Sequence, residues 1–403
     1  MKFFEKLLKL LSEPYVAVAR CLPLQDKVVF CNYHGGGFAD DPKYIALELM
    51  KRNTKAKLVW MLNDMSTPLP EGIIKVRYAS PRAKWHLYTA KVWVYNFKDA
   101  YKVHRKRRGQ FYIQTWHGSF CTKHLEQDCE KFLNRGYLRA TKADSAKTDL
   151  MYSNNDFTVD LFKTKFWYSG PVIKSDSPQL AVVVNTPADL KEKVCRTLGL
   201  DPADKIVLYA PTFRESGKLS TFFWEYEKIL PVLEERFGGR FVFLLRLHPH
   251  MADKWEGLKY SDRVVPASTY PDMDELIAVS DVMISDFSGV MFDMGIKRGP
   301  VFLYAEDCRD YVEHERQQYM TVDELPFTMA TDLDGLAANI RAFDPARYNA
   351  ALDAFFDRIG LVEHGHGPER ITDIVERQLA GQSPLEGEKG TPSGGRLQSR
   401  MGK

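Results

Sequence analysis

No stretch of this 403-residue chain approaches the roughly 20 consecutive apolar residues that a bilayer-crossing helix requires, so a spanning helix is not expected. Cysteine is scarce. The six present (Cys21, Cys31, Cys121, Cys129, Cys195 and Cys308) form no CxxC pair and no dense secreted-type framework, which points to a reducing compartment. Cys121, His124 and Cys129 do not follow a zinc spacing, and neither a metal nor a cofactor is expected. Charge of one sign is also lacking: a net charge of +3 is too small to make nucleic acid a bulk partner. Internal repeats and heptad seams are absent.

What is present is the composition of a globular protein, 44% hydrophobic and 27% charged, in a chain long enough for two domains. Short apolar runs alternate with longer amphipathic ones. Strands are expected at 27–31, 57–62, 91–96, 111–115, 205–210, 240–246, 281–285 and 300–304, with helices at 42–51, 222–236 and 272–280. Such alternation implies parallel sheets covered by helices, one sheet in each half, with ligands at the carboxyl ends of the strands. Gly-Pro, Ser-Asp-Ser-Pro and Asn-Thr-Pro punctuate residues 170–187 and mark the linker. The expected division is therefore a segment 1–22, domains 23–170 and 171–380, and a breaker-rich disordered tail 381–403.

Two segments suggest a membrane surface. Phe3, Phe4, Leu7, Leu8 and Leu11 share one helical face, opposite Lys2, Glu5, Lys6 and Lys9. Further on, Lys102, Arg105, Lys106, Arg107 and Arg108 place five cations in seven residues, a pattern suited to anionic headgroups or an anionic acceptor. Each pattern also fits a plainer reading, a docked first helix and a solvated loop.

Four segments put reactive side chains just after expected strands. Gln114-Thr115-Trp116-His117-Gly118-Ser119 offers a histidine suited to general base work, beside a glycine that lets substrate approach the backbone. Tyr209-Ala210-Pro211-Thr212-Phe213-Arg214 and Arg246-Leu247-His248-Pro249-His250 supply Thr212, Arg214, Arg246 and His248, the hydroxyl, guanidinium and imidazole groups that neutralise a pyrophosphate. His250 is read as merely exposed. In the fourth, Ser285-Asp286-Phe287-Ser288-Gly289-Val290-Met291-Phe292-Asp293, a helix is expected to begin near Ser288 and bind phosphate at its first turn, with Asp293 reaching a ribose hydroxyl.

Taken in order, Gln-Thr-Trp-His-Gly, Tyr-Ala-Pro-Thr-Phe-Arg, Arg-Leu-His-Pro and Ser-Asp-Phe-Ser-Gly-Val-Met-Phe-Asp resemble the motifs of the CDP-glycerol glycerophosphotransferases, the primases and polymerases of teichoic acids and related capsular polymers. Gly36-Gly37-Phe38-Ala39-Asp40-Asp41-Pro42-Lys43 is similar to the early family segment, with Asp41 where Asn is commoner; Val322-Asp323-Glu324-Leu325-Pro326 is a looser match, and Glu369-Arg370-Ile371 also fits. The resemblance runs from about residue 28 to about residue 378. It implies a GT-B fold, two Rossmann-like domains facing across a cleft, with the donor held mainly by the C-terminal one. It further implies His117 and His248 as catalytic residues, with His117 the general base. Thr212, Arg214, Arg246, Ser285, Asp286, Ser288, Gly289 and Asp293 would then bind the donor, and Gly36, Gly37, Asp40 and Lys123 would lie on the acceptor side. The family's Gly-Thr-Pro after the Trp-His pair is here Gly118-Ser119-Phe120, a local departure that bears on acceptor preference.

The reaction so implied is attack of an acceptor hydroxyl on the glycerol-bearing phosphorus of CDP-glycerol or another CDP-alcohol, with CMP leaving. The implied acceptor is lipid-linked, and the implied location is cytoplasmic, peripheral on the inner face of the membrane. No extra acceptor-handling domain is expected, which would favour short additions. A sugar-transferring GT-B enzyme would release a nucleoside diphosphate instead. A non-catalytic membrane-peripheral binding protein would release nothing.

Overall fold

The computed structural model describes residues 15–98, 106–212, 224–247, 260–308 and 317–388. They form two compact units. The first comprises the described residues within 1–117, 125–179 and 366–403, the second those within 118–124 and 180–365.

The first unit is built on seven parallel strands, β1 (Gln25–Cys31), β2 (Lys57–Leu62), β3 (Ile74–Arg77), β4 (Ala90–Tyr95), β5 (Phe111–Gln114), β6 (Leu150–Ser153) and β7 (Val172–Lys174). Their order is β3-β2-β1-β4-β5-β6-β7, the doubly wound arrangement in which chain direction across the sheet reverses between β1 and β4. Both faces are covered, so the strands are continuous apolar runs: Val28, Val29 and Phe30 are fully buried, as are Val92, Trp93 and Val94. One face carries the helices Asp40–Lys51 and Gly367–Leu379, whose Ile45, Leu49, Ile371, Ile374 and Val375 pack against Phe30, Trp60 and Val94. Pro81–Thr89 and a helix at residues 15–21 cover the other.

The helix Gly367–Leu379 corrects the expected boundary. The division at residue 170 assigned everything up to 380 to one domain, yet both β7 and this last helix complete the first unit. The Arg52 guanidinium fastens the helix by bonding Asp373 (2.6 Å), Glu376 (2.8 Å) and the Glu369 carbonyl (3.0 Å), and Lys91 Nζ donates to the carbonyl of Leu379 (2.6 Å). The Pro- and Gly-rich stretch 170–187 is likewise more than a linker, containing β7 and a short helix, Ala181–Val184.

The second unit repeats the architecture with six parallel strands: β8 (Lys205–Tyr209), β9 (Phe241–Leu245), β10 (Val264–Pro266), β11 (Val282–Ser285), β12 (Val301–Tyr304) and β13 (Thr328–Ala330). The order β10-β9-β8-β11-β12-β13 again reverses in the middle, between β8 and β11. Its core joins Val207, Phe243, Ile284 and Phe302 to Ile229 and Leu233 of the helix Tyr226–Phe237 and Leu336 of the helix Leu333–Arg341. Two Rossmann-like units of this kind make up the GT-B fold. Segments 1–14, 99–105 and 389–403, with the expected N-terminal amphipathic face, Lys102 and Arg105, lie outside the described residues.

Candidate active site

In doubly wound sheets the carboxyl ends of the strands flanking the reversal point are where ligands bind. In the first unit these ends carry Asn32 to Gly37 after β1 and Asn96 after β4, with His117 three residues beyond the neighbouring β5. The His117 imidazole is boxed by rings. Trp116 stacks on it with centroids 4.2 Å apart, Phe97 stacks at 5.6 Å and 15° interplanar angle, and Tyr33 approaches at 5.2 Å. Its Nδ1 lies 3.1 Å from the carbonyl oxygen of Asn96. A carbonyl only accepts, so Nδ1 carries the hydrogen and Nε2 keeps its lone pair. Burial pushes the imidazole down to about 4, against the smaller opposing pull of the Asn96 carbonyl, and the ring is neutral at pH 7. That is a fixed, uncharged ring with one basic nitrogen. The backbone turns sharply here: Trp116 has φ +60° and Gly118 φ +84°, left-handed values that suit glycine and cost a tryptophan about 1–2 kcal/mol.

Asn96 organises the neighbouring loop. Its side chain accepts from the Tyr33 N–H (2.9 Å) and donates to Asp40 Oδ2 (2.7 Å) and to Asn32. The Gly36 N–H closes onto the Asn32 carbonyl (2.8 Å), and the Gly37 carbonyl takes the Trp60 indole N–H (2.8 Å). Gly36, Gly37 and Asp40 therefore shape the loop after β1, bringing the early glycine segment and His117 to one end of one sheet. Asn96, Phe97 and Tyr33 were not singled out from the sequence. Their only signal was position, directly after an apolar strand.

In the second unit the expected donor residues gather at the ends of β8 and β11, and several are turned to structural work. The Asp286 carboxylate accepts from the N–H groups of Thr212 (2.7 Å) and Phe287 (2.5 Å), tying the two strand ends together. Ser285 is fully buried and donates to the Ala210 carbonyl (2.7 Å). Arg246 was expected to neutralise phosphate. Its guanidinium instead donates to the carbonyls of Ala267 (3.1 Å), Ser268 and Tyr270 (2.7 Å), holding the turn after β10. Asp293, expected to meet a ribose, is buried and takes the hydroxyl of Ser119. The helix expected near Ser288 starts at Val290 and spans seven residues, with Gly289 at its cap and no side-chain capping bond. A Cβ on Gly289 would sit 2.6 Å from the carbonyl oxygen of Phe120, so this glycine is needed for close backbone packing.

Lys123, expected on the acceptor side, belongs to the second unit, and its Nζ reaches Thr212 Oγ1 (3.3 Å). It lies in a short antiparallel bridge with Gln318, and its neighbours Thr122 and His124 line a cavity of about 460 Å³ floored by Phe287 and Met291. Lys123 and Thr212 thus bring an ammonium and a hydroxyl together at this sheet end. Arg214, His248 and His250 lie outside the described residues. Among those described, no cluster of His, Cys, Asp or Glu is arranged to hold a metal.

The sequence model of a family described as CDP-Glycerol:Poly(glycerophosphate) glycerophosphotransferase matches residues 15–377. The chain is similar to the teichoic acid poly(glycerol phosphate) polymerase of Staphylococcus epidermidis, 29% identical over 369 residues, which covers 88% of this chain but only 51% of that protein. The teichoic acid glycerol-phosphate transferase of Staphylococcus aureus is 24% identical over 368 residues, 88% of this chain and 94% of its own length. The structure of the wall teichoic acid polymerase TagF matches with a TM-score of 0.81 at 26% identity, covering 94% of this chain and 96% of that one, and a variant of it was solved after soaking with CDPG.

Proposed function

This chain belongs to the CDP-glycerol:poly(glycerophosphate) glycerophosphotransferase family, and from that premise we propose that it moves glycerol phosphate, or a related polyol phosphate, from a CDP-alcohol to a hydroxyl of a glycopolymer acceptor. The observation that carries the mechanism is the bond from His117 Nδ1 to the Asn96 carbonyl, which leaves Nε2 as the proton acceptor. The acceptor hydroxyl gives its proton to Nε2 while its oxygen attacks the phosphorus bearing the polyol. The bond from that phosphorus to the bridging oxygen breaks, and CMP leaves with the electron pair. Charge gathering on the leaving phosphate needs preorganised cations and donors, a role suited to Lys123 and Thr212, whose strand end Asp286 keeps in place.

The acceptor is proposed to be lipid-linked and the protein to work at the inner face of the membrane. Among the described residues no helix is long and apolar enough to cross a bilayer. Two of the three described cations of the basic cluster are already engaged: Lys106 pairs with Asp149, and Arg107 caps the carbonyls of Ala19 (3.3 Å), Leu22 (2.6 Å) and Tyr88 (2.7 Å). Arg108 is exposed. Surface attraction from this cluster accordingly rests on fewer side chains than its composition suggests.

The test is incubation with a panel of CDP-alcohols and a lipid-linked acceptor, reading product mass and the released nucleotide. One polyol phosphate added per CMP released is the expected result. Release of a nucleoside diphosphate from a nucleotide sugar, with CDP-alcohols inert, would overturn the proposal.

A further inference from the structure

Behind the ring on which His117 stacks lies a buried ion pair that the mechanism above does not use. Lys98 and Glu126 are 3% and 4% exposed, with Nζ and Oε2 3.2 Å apart. Every polar group of the pair is engaged. Glu126 also accepts from the hydroxyls of Tyr137 (2.7 Å) and Thr141 (2.6 Å), and Lys98 also donates to Ser145 Oγ (3.2 Å). The ammonium sits over the rings of Phe166 (4.5 Å), Trp116 (5.8 Å) and Trp167 (5.9 Å). Glu126 holds a left-handed φ of +46°, an unfavourable backbone for a glutamate that this set of contacts imposes.

Stability alone is a weak reason for such a pair, because desolvating two charges consumes most of what their attraction returns. Placement suggests another. Residues 96–98 run past His117 and bear on it three ways: the Asn96 carbonyl fixes Nδ1, the Phe97 ring stacks on the imidazole, and the Lys98 ammonium lies over the Trp116 ring that also stacks on it. Trp116 is wedged in turn against Phe166, edge to face at 4.8 Å. We propose that Lys98 and Glu126 form a positioning pair for His117, pressing Trp116 against the imidazole and balancing the field at the ring. The inference rests on the reading of His117 as the base.

The balance has a testable sign. Glu126 favours the imidazolium and Lys98 disfavours it, so the two members of the pair pull the ring in opposite directions. The other titratable groups around the ring are Tyr33 at 5.2 Å, His34 through Phe97 (4.3 Å), Asp40 through Asn96 (2.7 Å) and Asp144, which attracts Lys98. Removing either member of the pair leaves the other unopposed, and the two removals act in opposite directions.

The experiment follows the imidazole ¹⁵N signals of His117, assigned by their loss in His117→Asn, through a pH titration of the full chain. Lys98→Met should raise the His117 midpoint by about one unit or more, Glu126→Gln should leave the ring neutral to the lowest pH at which the protein stays folded, and the double variant should return it near the wild-type value. In the singles kcat should fall about tenfold with KM for CDP-glycerol unchanged, and Lys98→Arg should restore part of it. If the singles do not fold, the double variant carries the test, since it keeps the volume and removes both charges. It should fold, keep the Nδ1–H tautomer and lose kcat through a loosened Trp116. Shifts of the same sign in both singles, or a double variant with wild-type kcat, would overturn the proposal. The titration makes no use of activity, so full turnover by His117→Asn would instead count against the base assignment.

Discussion

The two sheet ends handle their polar residues in opposite ways. In the first unit the backbone and neighbouring rings serve one side chain: the Asn96 carbonyl, Trp116, Phe97 and Tyr33 all fix His117 and leave one nitrogen available. In the second unit the side chains serve the backbone. Asp286, Ser285 and Arg246 satisfy N–H and carbonyl groups of adjoining loops, and Asp293 is sealed against Ser119. The contrast suits the proposed roles: a proton-transfer site requires one group held at a set angle, whereas a phosphate site is assembled largely from loop backbone and a few cations, with acidic and buried hydroxyl residues holding the loops.

That contrast predicts where mutations act. The largest effect is expected at His117: replacement by alanine removes the proposed base and should lower turnover roughly 10²–10⁴-fold, read in steady-state assays of CMP release, with donor binding nearly intact. Next comes Asp286→Ala. Losing a buried carboxylate that accepts from two N–H groups should cost about 1.5–3 kcal/mol per bond, appearing as weaker calorimetric affinity for CMP and CDP-glycerol together with a lower Tm. Arg246→Met should sharpen the comparison. As a residue that caps three carbonyls, it should lower stability by about 1–3 kcal/mol while leaving donor affinity in the folded enzyme close to wild type. A large affinity loss at unchanged Tm would return Arg246 to the phosphate.

The smallest effect concerns pH. Burial pushes the Asp41 carboxyl up to about 6 despite donors from Tyr152 (2.8 Å), Ser177 (3.0 Å) and the Gln179 N–H (2.8 Å). The folded chain then binds this proton more tightly than the unfolded chain, so the stability Asp41 contributes is full below about pH 4 and lost as pH rises through 6. His117, pushed down, has the reverse sign: its contribution is present above about pH 6.5 and lost as pH falls toward 4. Asp41→Asn removes the first contribution alone. Its Tm relative to wild type should therefore rise by about 2–4 °C between pH 4.5 and pH 7 in thermal melts. A constant difference would show that Asp41 does not titrate in that window.

Long apolar strands were legible in the sequence, since runs such as Val28-Val29-Phe30 and Val242-Phe243-Leu244-Leu245 are buried on both faces. The strands β3, β7, β10 and β13 were not, being short and partly exposed, and β6, four buried residues, was missed with them. His117 could be proposed from the sequence because its position after a strand is visible in one dimension, whereas the groups around it, Asn96, Phe97 and Lys98, come from the end of a different strand. Arg246 takes carbonyl partners that the sequence did not announce, for a chemical reason: a guanidinium has five donors, and nothing in sequence tells phosphate oxygens from backbone carbonyls as their target. Lys123 was assigned to the wrong unit because the chain passes from one unit to the other directly after His117.

The central claim is that His117 Nε2 takes the acceptor's proton while the second unit holds the donor. Single-turnover release of CMP from preloaded CDP-glycerol, started by adding acceptor, tests it most directly when run on the wild type and His117→Ala with donor affinity measured on each. The account predicts a release rate that falls at least 10²-fold in the variant while the two affinities agree within a few-fold. Equal rates, or a rate loss matched by an equal loss of donor affinity, would contradict it.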